Sequence, residues 1–292
     1  MEKFVISTDS TCDMPPAYYQ QHQILLFPLT FTLDGGEYGG ENLPQMDEKE
    51  FYAKLRAGSM PKTSQITLDG ALKKFEPLAK QGASVLHIAF SSGLSGTCNS
   101  CTLAAEELME KYPDCKIIVI DSLCASMGEG LYLDYAVTLR EQGNTLEETA
   151  EILQRDKQNL CHFFTVDNLF HLQRGGRVSK VSAVFGSMLG IKPVLHVDKD
   201  GKLIPIAKVR GRKASLDYLV EAAGKKLDPR KATKFFVSHG DCAEDAQYVA
   251  DKMTERFGID EKMIHTIGPV IGSHSGAGTV ALFFMGTDRD PA

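Results

Sequence analysis

No apolar stretch in this sequence approaches the roughly 18 to 20 residues that a membrane-spanning helix needs, so no transmembrane segment is expected. There is no long run of lysine or arginine either. The 32 basic and 38 acidic residues leave a formal charge of −6, which argues against a nucleic-acid partner. The opening MEKFVISTDS lacks a basic segment followed by an apolar core, and no secretory signal is expected. Three familiar signatures are also missing. The P-loop string G-x-x-x-x-G-K-[ST] does not occur, and neither does G-x-G-x-x-G. A nucleophile elbow needs G-x-S-x-G; Gly93-Leu94-Ser95-Gly96-Thr97 ends in threonine, and Gly272-Ser273-His274-Ser275-Gly276 centres on histidine. Serine hydrolysis of the usual pattern is thereby excluded.

The seven cysteines are odd in number and scattered, which suits reduced thiols in a cytoplasmic protein better than a disulfide framework. Cys98 and Cys101 form a C-x-x-C without a second pair or a nearby histidine. On a helix the two would share one face, as buried core thiols.

What is present is a chain of 292 residues, 43% apolar and 24% charged, long enough for two domains of ordinary size or one large α/β domain. KFVIST, ILLFPLTFTL, ASVLHIAF and KIIVIDS read as extended runs. Between them lie helix-like segments such as DMPPAYYQQH, with Asp13 as the expected cap, and MDEKEFYAKLRAG, ended by Gly58. Strands alternating with helices predict a parallel sheet covered on both faces. A polar amphipathic helix over 144–159 carries the chain to an expected domain boundary, giving domains 1–157 and 158–292. In the second part Lys199-Asp200-Gly201 predicts a hairpin. Helices over 213–226 and 243–257 and strands over 234–238 and up to Ile267 follow, and then GPVIGSHSGAGT leads into VALFFMG.

Four loops combine glycine with hydroxyl, imidazole or basic side chains: STDSTCD, SSGLSGT, RGGRVSK and GSHSGAGT. A fifth motif, KTSQ, has no glycine. The first two loops follow strands and precede helices, which places them at the carboxyl edge of a parallel sheet, where ligands bind. In SSGLSGT, Gly93 and Gly96 would let the backbone turn and approach a ligand, Ser95 and Thr97 add donors, and the helix start favours an anion. The competing reading is a simple helix cap. For one loop both stand open; several such loops in one chain favour a ligand site. His274, among Gly272, Gly276 and Gly278, is expected to be unburied and able to donate to an anion or carry charge near neutral pH. His87, inside an apolar strand, reads as core, and Asp9 and Asp121 as acceptors for loop backbones.

Taken in order, STDSTCD, KTSQ, SSGLSGT, LFHLQRGGRVSK, GIKPVLHVDKDGKLIPIAKVRGR and GPVIGSHSGAGT resemble the successive motifs of DegV proteins over residues 4 to 284. The resemblance implies a bacterial, cytoplasmic, two-domain α/β protein: an N-terminal parallel-sheet domain, a C-terminal α/β domain and a ligand site between them. It implies a bound long-chain fatty acid such as palmitate, stearate or oleate. Its carboxylate would be held by Thr63, Ser95 and His274, with Ser64, Gly96, Thr97, Gly272 and Ser273 as supporting loop positions. The partner implied is a separate ATP-dependent fatty acid kinase that makes the acyl phosphate for phospholipid metabolism, with Arg177 and Arg210 at positions linked to phosphoryl transfer or docking. No catalytic residue, cofactor or metal is implied, and transient membrane contact would serve ligand exchange. Such a ligand demands an apolar tunnel. Its candidate linings flank Arg177: Phe163, Phe164, Leu169 and Phe170 before it, Phe185, Met188, Leu189 and Ile191 after it. One position departs from the family's H-x-G-P-G loop, since Ala277 replaces the proline, which loosens the unfolded loop. Two other readings stay open: an enzyme acting on a small carboxylate or phosphate through Ser95 and His274, and a lipid-responsive regulatory module.

Overall fold

A computed structural model of the chain describes residues 4–179 and 190–290. The first part carries strands β1 (Val5–Asp9), β2 (Leu25–Phe27), β3 (Thr30–Leu33), β4 (Gly36–Gly39), β5 (Lys62–Ser64), β6 (Ser84–Ala89) and β7 (Lys116–Asp121). Its helices are α1 (Pro16–Gln21), α2 (Glu48–Arg56), α3 (Leu68–Ala79), α4 (Thr97–Lys111), α5 (Met127–Glu141) and α6 (Leu146–Asp156). β2, β1, β6 and β7 pair in that order, all parallel, as the alternation predicts. The ILLFPLTFTL run is broken at Pro28: β2 joins the parallel sheet, while β3 leaves it to pair with β4 and β5 in a small antiparallel sheet. Local chemistry sets the helix starts. Asp47 accepts from the amides of Lys49 and Glu50 ahead of α2, and Thr145 with Glu148 forms a capping box at α6. Asp13 does not cap α1, which begins after Pro15; it takes the left-handed conformation and accepts hydrogen bonds from the Gly268 amide and Ser126 Oγ.

The second part contains β8 (Leu160–Thr165), α7 (Phe170–Arg174), β9 (Ile191–Val197), β10 (Leu203–Arg210), α8 (Arg212–Lys226), β11 (Lys234–His239), α9 (Ala243–Phe257), β12 (Glu261–Thr266), α10 (Pro269–Ser275) and β13 (Val280–Met285). These strands form one six-stranded sheet in the order β10-β9-β8-β13-β11-β12, antiparallel except between β11 and β12. The hairpin turn is present, with Gly201 at φ +73. His274, expected in a loop, lies instead in the last turn of α10, whose Pro269 suits the first helical position. Ala277 is half-buried against the small cluster of Phe31, Phe51 and Tyr52.

α5 packs between the parallel sheet and the six-stranded sheet and shares one core with both: Ile6, Leu86 and Ile88 on one side, Phe164, Phe236 and Phe283 on the other. Two glycines permit this. A Cβ on Gly128 would lie 2.8 Å from His162 Nε2 and from Phe283, and one on Gly130 would lie 2.6 Å from Met14 Sδ. The opposite face of the six-stranded sheet is covered by α8 and α9, around Phe163, Phe235 and Phe284. Cys98 and Cys101 are buried free thiols in α4, as their spacing suggests, and no metal-binding cluster occurs among the described residues.

Arg289 closes the assembly from the far end of the chain. It is 2% exposed and donates to the carbonyls of Leu160 (3.1 Å), Leu123 (2.6 Å) and Lys157 (2.8 Å), tying both sheets' connections to one guanidinium. Arg289→Met leaves these carbonyls without their donor, and unpaired buried groups cost roughly 1–3 kcal/mol each. The urea midpoint is therefore expected to fall by the equivalent of about 3 kcal/mol; an unchanged midpoint would make the arginine dispensable.

Candidate functional site

The loops at the carboxyl edge of the parallel sheet are held by the carboxylates that end its strands. Asp9 accepts from the Phe90 amide at 2.9 Å and the Thr11 amide at 3.0 Å, and Asp121 from the Ser92 and Leu123 amides at 3.2 and 3.0 Å. His87 bonds Ser7 Oγ at 2.9 Å inside the core. In SSGLSGT the glycines serve packing rather than ligand approach. A Cβ on Gly93 would lie 2.6 Å from the Asp200 carbonyl, and one on Gly96 would strike the Gln65 amide. Neither glycine has a positive φ. Ser91 Oγ donates to the Gly201 carbonyl at 2.8 Å, so this loop docks on the β9–β10 turn.

Between the two sheets lies a largely apolar cavity of about 400 Å³, within the size range of small-molecule sites. Thr63, Ser64, Ser95, His274 and Arg177 all line it, together with apolar walls from Phe90, Leu94, Phe164, Leu172, Val197 and Phe283. Thr63 Oγ1 meets His274 Nε2 at 2.8 Å across 211 positions of sequence. Ser95 Oγ sits 3.0 Å from Thr97 Oγ1 and accepts from the Thr97 amide at 3.2 Å, while Thr97 Oγ1 accepts from the Ile66 amide at 3.3 Å. Ser95 and His274 thus bond to different partners, which does not favour a nucleophile–base pair. Of the supporting positions, Gly96, Thr97, Gly272 and Ser273 stand behind the lining rather than on it, and STDSTCD contributes no lining residue.

The apolar expectations divide. Phe164 is on the cavity wall. Phe163 points to the opposite face of β8, into the core under α8. Leu169 is buried in the shared core without reaching the cavity, Phe170 is 49% exposed, and Ile191 sits at the start of β9 away from the lining. Phe185, Met188 and Leu189 lie outside the described residues. Arg210 is exposed on the edge strand β10 and is not part of the cavity lining that includes Arg177. Gln65, the last residue of KTSQ, also lines the cavity, and sequence reading missed Thr67 just beyond the motif and Ser126, Ser238 and His162 on the wall. Of these only Thr67 carried a signal, its closeness to KTSQ.

Electrostatically, one part of the lining is positive. Arg177 donates Nε–H to the Leu94 carbonyl at 3.1 Å and also bonds the Gly175 carbonyl; Arg174 donates to the carbonyls of Pro61 and Ser273 at 3.0 and 3.2 Å. Neither forms an ion pair among the described residues, so both charges act on the site. Contrary to the sequence expectation, His274 is largely enclosed, with Nδ1 against the Cα of Gly175. Burial, then the charges of Arg177, Arg174 and His171, bring its pKa down to about 4, so it is neutral at pH 7. With Nε2 protonated and donating to Thr63, the threonine hydroxyl is free to donate into the cavity. The Ile66 amide, Thr97 and Ser95 form a second relay that does the same. The geometry can therefore receive an anion with neutral donors beside uncompensated guanidinium charge.

A family model described as "Uncharacterised protein, DegV family COG1307" matches residues 3–287. A DegV domain-containing protein of Clostridium perfringens is 43% identical over 291 residues, covering 100% of both chains. Among solved structures, the chain is similar to DegV, a fatty acid binding protein from Bacillus subtilis. The TM-score is 0.83 at 29% identity, covering 98% of this chain and 100% of that one. It is also similar to a fatty-acid-binding DegV family protein from Thermus thermophilus, with TM-score 0.85 and 27% identity over 97% of this chain and 99% of that one.

Asp13 joins the site through Ser126 Oγ, 2.6 Å from its carboxyl and 2.9 Å from Ser238 Oγ. Burial raises Asp13 from 3.8 to about 7. Between those values the folded chain holds a proton that the unfolded chain has released, so stability falls as pH rises through the window. At 1.36 kcal/mol per unit the three-unit difference is worth about 4 kcal/mol. Asp13→Asn is expected to flatten the dependence of unfolding free energy on pH between about 4 and 7 by that order; an unaltered slope would show that Asp13 ionises freely.

Proposed function

The chain belongs to the DegV family, and on that footing we propose that it binds one long-chain fatty acid and presents its carboxylate to a separate ATP-dependent fatty acid kinase. The observation that carries the reading is a largely apolar cavity of about 400 Å³ whose lining joins Thr63, Ser95 and His274 to Arg177. Thr63 and Ser95 donate to the carboxylate, the first oriented by His274 and the second by Thr97. Arg177 supplies charge, and the acyl chain lies among Phe90, Leu94, Phe164, Leu172 and Phe283. Each buried methylene contributes about 0.8 kcal/mol, so a long tail supports tight binding after association costs. Leu94, the one apolar residue of SSGLSGT, touches the chain.

On this reading no side chain of the protein does chemistry on the ligand. It acts as a carrier subunit in the cytoplasm, in phospholipid metabolism, loading by transient membrane contact. Residues 1–157 and 158–292 form two domains that close on the ligand. Arg210, exposed on β10, serves kinase docking.

Protein purified from cells, denatured and extracted, is expected to release roughly one acyl chain per protomer in mass spectrometry. A ligand-free protein that also refuses palmitate and oleate would end the reading. Thr63→Val removes one hydrogen bond to a charged group, typically worth about 1.5–3 kcal/mol, and is expected to weaken oleate binding roughly tenfold or more. A bound carboxylate also favours the imidazolium form, so the His274 ring is expected to titrate above 4 in the loaded protein by NMR.

A further inference from the structure

The cavity wall is not apolar throughout. Register across the six-stranded sheet aligns Leu195, Phe164, Ala281 and Ser238 in one row of its inner face, and Phe283 flanked by His162 and Phe236 in the next. Ser238 and His162 are the polar members of those rows; both are buried, at 0% and 2% exposure, and both line the cavity. Among the described residues neither ring nitrogen of His162 has a hydrogen-bond partner. Its Nε2 edge presses on the bare Cα of Gly128, and Phe283 packs edge-on against the ring at 5.4 Å. Those neighbours offer no polar group, and the ring also borders the cavity, from which a partner can come. A buried imidazole without one is costly, and such groups call for a ligand or water to complete them.

Ser238 is held by Ser126, which in turn reaches Asp13. Ser126 has one proton. When it donates to the Asp13 carboxylate, Ser238 donates to Ser126, and the lone pairs of Ser238 remain to accept from a ligand. His162, kept neutral by burial, offers one N–H and one bare nitrogen.

Resting on the acyl-chain reading, we propose that His162 and Ser238 form a second polar subsite in the cavity, suited to a neutral hydroxyl carried on the hydrocarbon part of the ligand. The preferred substrate class is then a hydroxylated long-chain fatty acid. A hydroxyl both donates and accepts, which matches an imidazole and a serine lone pair. A second carboxylate fits poorly, because Asp13 beyond Ser126 and the buried Glu129 near Gly128 are acids, and the one cation acting on His162, Arg289, already donates to the carbonyls of Leu160, Leu123 and Lys157.

The test measures binding of stearate, octadecanedioate and monohydroxystearates with the hydroxyl near the carboxylate, mid-chain or near the methyl end, to delipidated full-length protein. An ordinary apolar tunnel penalises a buried hydroxyl by roughly tenfold or more. Here at least one positional isomer is expected to bind as tightly as stearate or tighter, and octadecanedioate more weakly than either. His162→Phe, and independently Ser238→Ala should the first fail to fold, are expected to lower the ratio of that isomer's affinity to stearate's about tenfold. Every isomer binding at least tenfold more weakly than stearate, or ratios unmoved by both substitutions, would overturn the subsite and leave the acyl-chain reading intact. Protein that binds neither stearate nor any hydroxystearate would overturn both.

Discussion

The close approach of α5 to both sheets is the constraint on which the rest of the structure depends. Glycine in a helix interior costs roughly 0.5–1 kcal/mol relative to alanine, and this helix carries two, Gly128 and Gly130, within its first turn or so. They let the helix backbone rest on His162 and Phe283 on one side and on Met14 on the other, where a methyl group would collide. With α5 so placed, its leading residue Ser126 reaches the cavity and its Glu129 lies beneath β1. The cavity borders the start of this helix and is lined by the inner face of the six-stranded sheet, the loops after β2 and β6, β5 and α10.

The same placement buries three carboxyl groups, Asp9, Asp13 and Glu129, none of which forms an ion pair among the described residues. Hydrogen counting shows how this is tolerated. Thr8 donates to one Glu129 oxygen at 2.8 Å; Thr11 contacts both the other Glu129 oxygen, at 3.0 Å, and Asp9. Thr11 has one proton for these two acceptors, so one of the two carboxyls must itself be protonated. Burial raises both, and the charge of Asp9 adds to the rise at Glu129. STDSTCD is thus scaffolding: its hydroxyls and acids satisfy one another and hold the loop after β6 that borders the cavity.

Much of the fold is legible in the sequence because its signals are local. Asp47, the Thr145–Glu148 box and the Asp200-Gly201 turn each satisfy backbone groups within a few residues, and alternation alone suffices for the parallel sheet. The face of β8 is a different matter. All six of its residues are buried, so no polar alternation distinguishes Phe163 from Phe164, and only the packed sheet decides which ring meets the cavity. The same blindness hid His162 and Ser238, which in sequence are merely polar residues inside strands. Ser95 and His274 stand out in the sequence by their glycine-rich surroundings and Thr63 only by motif resemblance; the structure places all three on one cavity's lining. Burial of His274 was not legible, because its cover, the Gly175 backbone, is remote in sequence.

β13 occupies the middle of the six-stranded sheet, between β8 and β11, yet it is the last described strand to leave the ribosome. Until it inserts, β8 and β11 present open edges of the kind that invite pairing with other chains. Ala281 and Phe283 of the cavity wall arrive with it, and His274 arrives only just before. A nascent chain therefore has no complete cavity to fill, and a lipid that fits the finished cavity would bind only after synthesis has passed β13. Such a ligand would act as a late clamp on the sheet's final insertion, coupling the yield of folded protein to the supply of lipid.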